Sequence, residues 1–230
     1  MATTTAVAAS PGGLDTRTTR WAGLAGLGFA VLVAAQNIWS GAAGLDPDPD
    51  ASAAKILEKV VEHRDAYGVR LGTVGIGIVL LIVFLGGAWA RLRDAAPLWA
   101  PVGTLGGVLI VAFFAMTNVP LTVLSIGGER FAGDLVLVDA LWDMHLATFA
   151  FAGIALGMAL LGLSLAAVAA GLVPGWFRIV GPAGAAVMLV CSVPVKAVAE
   201  GSPATMGALP GFLVWLVFLA VLGTRVWREG

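Results

Sequence analysis

Apolar residues in this chain come in long uninterrupted runs, not in the short alternation of half-buried strands. Six segments, 21–41, 71–90, 98–124, 146–172, 179–195 and 209–226, are almost free of charge. A hydrocarbon core about 30 Å thick takes roughly 20 residues of helix to cross, and each run approaches or exceeds that length. The pattern predicts an all-α integral membrane protein, a six-transmembrane-helix bundle over residues 21–230. The one extended hydrophilic stretch between runs is DPDPDASAAKILEKVVEHRDAYGVR. Pro47 and Pro49 hold an extended turn, and Asp50 or Ser52 can accept from free backbone amides and cap a helix over about 51–64. There Ile56, Leu57, Val60 and Val61 share one face while Lys55, Glu58, Lys59 and Glu62 occupy the other. A short amphipathic helix therefore joins the first and second spans, either along the outer leaflet or over the bundle mouth as a lid. Residues 1–20 are small and polar without periodicity and read as a disordered tail.

Composition agrees with the pattern. The chain is 59% hydrophobic and 12% charged, with a mean hydropathy of +0.95, against roughly a quarter charged in soluble domains. A formal net charge of −1 with no basic block offers nucleic acid no electrostatic footprint. The single cysteine, Cys191, excludes an internal disulfide or a multi-thiolate metal site. Glycines recur at helical spacing, at Gly72 and Gly75, Gly103 and Gly107, Gly153 and Gly157, and predict close helix contacts; the last pair also offers a face for self-association.

Charge in the short loops sets orientation. Arg17, Arg20, Arg91, Arg93, Arg178, Arg225 and Arg228 fall on one side of six crossings, with Trp21, Trp89, Trp99, Trp176 and Trp227 at the same boundary. Retention of basic loops in the cytoplasm predicts an inner-membrane protein with both termini cytoplasmic.

Polar groups inside the runs gather towards the opposite, outer end: Gln36, Asn37, Thr117, Asn118, Ser192 and Lys196. Below them hydroxyls are sparse, Thr104 and Ser164 among them. A continuous helix through the loop would bring His63, Tyr67 and Arg70 onto one stripe. In LWDMHLATFAF (141–151), Asp143 and His145 head the fourth run, yet two residues apart means about 200° around a helix, so the pair does not converge. Lys196 and Glu200 stand four apart and can pair with each other. His63, Tyr67, Arg70, Asn118, Asp143, His145, Lys196 and Glu200 are the candidate outer polar site. No hydrolase, metalloprotease or nucleotide-binding signature occurs, and no cofactor or metal is expected.

EHR (62–64) before the second span, ARLR (90–93) after it, LWDMH (141–145) opening the fourth and the LVPGWFRIVG turn (172–181) carry a resemblance. From about residue 20 onward the chain resembles the bacterial multi-span proteins grouped as domain of unknown function 4386. Gly175 stands where such proteins often have a basic residue before the tryptophan of the inner turn. The resemblance implies a fold and a membrane address without an activity. The leading expectation is a non-enzymatic binding or accessory protein whose outward polar crown meets a protein partner or a lipid headgroup. The alternatives are a small-molecule or lipid transporter, a haem or metal binder using His63 and His145, and a membrane-embedded enzyme using Arg70, Asp143, His145, Lys196 and Glu200.

Overall fold

The structure is a computed structural model that describes residues 15–48, 51–200, 202 and 207–229. Within those residues all regular structure is helical: α1 (Thr16–Ala42), α2 (Ala53–Glu62), α3 (Arg64–Leu92), α4 (Trp99–Gly127), a 3-10 turn (Gly128–Phe131), α5 (Leu135–Ala169), α6 (Phe177–Ser192), α7 (Val195–Ala199) and α8 (Leu209–Glu229). Five of these, α1, α3, α4, α5 and α8, are long and apolar enough to cross a membrane. Large apolar side chains such as Val31, Ile76, Val79, Leu105, Val119 and Ile126 are exposed along α1, α3 and α4. Apolar surface on that scale is lipid-facing. The chain is a multi-pass membrane protein.

The sixth run is shorter than its pattern implies. α6 has 16 residues, about 24 Å at roughly 1.5 Å per residue. It ends at Ser192 because Pro194 has no amide with which to continue the ladder, and the chain restarts as the short α7. Helix α6 nonetheless lies antiparallel to both of its neighbours. Gly181 near its start lies under Ser164 of α5, and Gly184 and Met188 farther along lie against Gly211 at the start of α8.

The same small-residue contacts define the rest of the bundle. Near the start of α1, Gly23 lies against Gly223 and Trp227 near the end of α8. Arg91 at the end of α3 pairs with Glu229 at the end of α8. Gly103 near the start of α4 meets Gly162 and Leu163 near the end of α5, so closely that a Cβ on Gly162 would fall 2.2 Å from the Gly103 amide nitrogen. Lipid tails are as apolar as leucine, so helices associate through close backbone approach. Gly107, Gly153 and Gly157 also face neighbours inside the bundle, but Gly72 and Gly75 meet open space. The expected contact role of that pair is not realised, because they lie on the outward side of α3.

Two helix ends share a local sequence and a local structure. Ala42-Ala43-Gly44-Leu45-x-Pro47 closes α1 and Ala169-Ala170-Gly171-Leu172-x-Pro174 closes α5. In each the glycine has positive φ, +59° at Gly44 and +72° at Gly171. The leucine amide reaches back to a carbonyl of the last turn, Ser40 or Ala167, and the leucine side chain is buried. This is the left-handed glycine cap that ties up otherwise orphaned carbonyls.

Three helix starts lie more than a turn earlier than expected, and α3 is one of them: it begins at Arg64, not at residue 71. Asp15 caps α1 by accepting from the Thr18 amide, so residues 16–20 are helical and not a tail; residues 1–14 of the expected tail lie outside the described residues. Helix α5 begins at Leu135, not at residue 146, with Asp134 as its cap. Its first turns carry Asp139 and Asp143, which depress the apolar signal of a helix that is continuous in the backbone.

Candidate functional site: the α2 cap

The ends of α1, α4 and α6 and the starts of α3, α5 and α8 lie at one end of the bundle, and α2 closes over it. Its apolar face is not laid on lipid. Ile56 and Val60 are 0% exposed, and with Leu57 they pack on Tyr67, Leu121, Leu124, Val138, Trp142 and Leu146, a second core separate from that of the bundle. Burying each of these aliphatic side chains contributes roughly 1.5–3 kcal/mol. Lys55 and Glu58 stay exposed on the other face. Ser52 sits at the N-cap without a side-chain hydrogen bond, while Asp50, the other expected cap, lies outside the described residues. The helix ends at Glu62, earlier than the expected 64, because His63 leaves helical geometry (φ −104°, ψ 24°) before α3 begins.

The cap is fastened by the loop after α1. Leu45 is fully buried, and its carbonyl accepts from the Tyr67 hydroxyl. Lys59 Nζ donates to the Asp46 carbonyl at 2.8 Å, and the Arg70 guanidinium pairs with the Asp46 carboxylate. Side chains of α2 and α3 thus grip two consecutive loop residues. The Arg70 side chain is only 16% exposed, and its Nε is buried without a partner among the described residues.

On α5, His145 is buried and stacks on Trp142 with ring centroids 5.0 Å apart. Its Nδ1 lies 2.8 Å from the Thr117 carbonyl on α4. A carbonyl can only accept, so Nδ1 carries the hydrogen. Pro120 lies one turn on and lacks the amide that would continue the α4 ladder, in the region where the histidine attaches.

The candidate residues therefore divide. Tyr67 and Arg70 fasten the loop after α1 to α3, whereas His145 ties α5 to α4 while stacked on Trp142. His63 is half-buried at the α2–α3 junction, and the helix break there replaces the expected continuous stripe, although Tyr67 and Arg70 still face the loop together. Asn118 donates to the Phe114 carbonyl of its own helix at 2.7 Å. Asp143 is exposed on α5 while His145 is buried, so the two diverge as their spacing requires. Lys196 and Glu200 pair with each other at 3.6 Å, both side chains exposed. A pair that exposed contributes at most about 1 kcal/mol. Among the described residues no group of three or more His, Cys, Asp or Glu is placed to hold a metal ion.

Sequence reasoning missed Leu45 and Asp46 as partners, and also Trp142. The available signal was Leu45 itself, one large apolar residue next to a run of Asp and Pro. Backbone carbonyls at 45 and 117 had no signal, because every residue has one.

Comparison with protein-family models, with curated proteins and with solved structures yields no match to this chain.

Proposed function

We propose that this protein is a non-enzymatic binding or accessory protein of the bacterial inner membrane, crossing it six times with both termini cytoplasmic. Its outer end is the binding surface. The observation that carries the reading is that the groups most suited to chemistry are already engaged inside the fold: Tyr67 and Arg70 hold the 43–48 loop to α3, and His145 ties α5 to α4. The exposed charges of Asp143, Lys196 and Glu200 are left facing outward. Six crossings are supported by the antiparallel course of α6, which stands against the starts and ends of its neighbours as a spanning helix does. Cytoplasmic termini are supported by the basic residues at the opposite end, where Arg91, Arg93, Arg225 and Arg228 lie at the ends of α3 and α8. The motif resemblance to domain of unknown function 4386 agrees with this assignment.

Photo-crosslinking in native membranes tests it. A photoreactive residue at Asp143 or Lys196 is expected to capture a partner that the same probe at Val79, in the lipid-facing middle of α3, does not. Equal capture at all three positions removes the reading. Measured flux of a solute through the purified protein in liposomes would replace it with transport.

A further inference from the structure

Beside the cap, the start of α3 and the end of α4 diverge and leave an open groove of about 510 Å³ lined by Arg64, Asp65, Gly68, Val69 and Ile126 among others. It runs on into a second hollow of about 350 Å³ that shares Arg64 and Ile126 and adds Glu129 and Arg130. The groove exists partly because Gly68 has no side chain: a Cβ there would meet nothing within 4 Å. Its mouth carries two guanidinium groups and two carboxylates. Neither Arg64 nor Arg130 has an ion pair or side-chain hydrogen bond among the described residues, and neither do Asp65 and Glu129. The floor is apolar, with Val69 and Ile126 both more than half exposed.

We propose that this groove seats one outer-leaflet phospholipid with a zwitterionic, ammonium-bearing headgroup. This deepens the reading of the outer end as a binding surface and rests on it. Arg64 and Arg130 provide the phosphodiester with charge-assisted donors, and Asp65 and Glu129 provide acceptors for the ammonium. Equal numbers of positive and negative side chains match a headgroup of no net charge better than an anionic one. The exposed apolar floor decides for a lipid over free phosphate, since only an acyl chain covers Val69 and Ile126.

The test is native mass spectrometry of the full chain, released from detergent micelles carrying equal amounts of phosphatidylethanolamine and phosphatidylglycerol. One phosphatidylethanolamine adduct is expected to predominate. It should fall about tenfold or more in the double variant Arg64→Gln/Arg130→Gln, because each charge-assisted bond is worth roughly a decade of affinity. Gly68→Leu, which fills the groove at an open helix position, should lower it similarly. The thermal transition followed through Cys191 reports folding in every variant; should the double variant fail to fold, Gly68→Leu decides alone. Equal adducts in all variants, preferential retention of phosphatidylglycerol, or loss of the adduct to added inorganic phosphate each overturn the proposal. Loss of the lipid site with selective cross-linking at Asp143 intact removes the groove assignment alone, whereas loss of both removes the outer binding surface.

Discussion

The two ends of this bundle are held together by different physics. At the end where α1 starts and α8 finishes, helices meet backbone on backbone, Gly23 on Gly223 and Gly103 on Gly162. At the opposite end, α2 buries Ile56, Leu57 and Val60 on α4 and α5, and side chains grip the Leu45 and Asp46 loop. The difference follows the solvent. Within hydrocarbon, burying an apolar side chain gains nothing over lipid, so association depends on how closely helices approach. Above the hydrocarbon, water restores the hydrophobic drive and an amphipathic helix gains by closing over an apolar floor.

That contrast is broken most severely by filling the contact between Gly103 and Gly162. Gly162→Leu places side-chain atoms against the Gly103 backbone, which has no rotamer with which to yield, and is expected to cost about 3 kcal/mol, the upper part of the usual overpacking range. The unfolding temperature, read in detergent through reaction of Cys191, should drop well below wild type. Gly75→Leu, facing open space, should leave it unchanged; equal drops in both variants would mean that close approach is not what holds this end.

Next in size is Ile56→Ala. Removing a fully buried side chain from the cap should cost about 2–4 kcal/mol. The loss should surface as faster amide exchange throughout α2, with little shift in the Cys191 transition. A large shift there would show that the cap and the bundle form one cooperative unit.

A smaller effect sharpens the outer region alone. Tyr67→Phe deprives the Leu45 carbonyl of its donor, at a cost of about 1–3 kcal/mol for a buried acceptor left unpaired. Exchange should quicken at the Gly44 and Leu45 amides, and unchanged protection at both would dismiss the tyrosine as a fastener.

The smallest effect lies at the start of α1, where Asp15 accepts from the Thr18 amide. That bond holds its carboxyl below the usual value of 3.8. A depressed carboxylate contributes stability above the unfolded pKa and loses it as pH falls through the folded one. Protection of the first α1 turn should therefore be constant above about pH 4 and decline on further acidification in wild type. Asp15→Ala should show no such acid-dependent loss; an identical decline in both proteins would assign it to another group.

Legibility in the sequence followed the same division between regions. The spans of α4 and α8 and the two faces of α2 were readable because each is a local periodicity that does not depend on what packs against it, whereas α3 starts at Arg64, ahead of the expected residue 71, because the polar residues of its first turns carry no apolar signal. The start of α5 was not readable either: Asp139 and Asp143 interrupt the apolar run without interrupting the backbone. Nor was the outward placement of Gly72 and Gly75, whose spacing is the same as that of glycines in contact. At the candidate site, the spacing of Asp143 and His145 already ruled out their convergence, while the grip on Leu45 and Asp46 joins residues more than twenty positions from Tyr67 and Arg70 and obeys no period.

By itself, then, the sequence determined that this chain is helical, belongs in a membrane and gathers its polar groups towards one end, since hydropathy and helical period are properties of neighbouring residues. Only the tertiary structure decided that α2 is a closed cap, that Tyr67 and Arg70 fasten the loop beside it while His145 ties α5 to α4, and that Arg64 and Arg130 stand over an open groove. Those outcomes depend on which backbone carbonyls and helix faces meet, and such meetings are settled by packing in three dimensions, on which no local pattern reports.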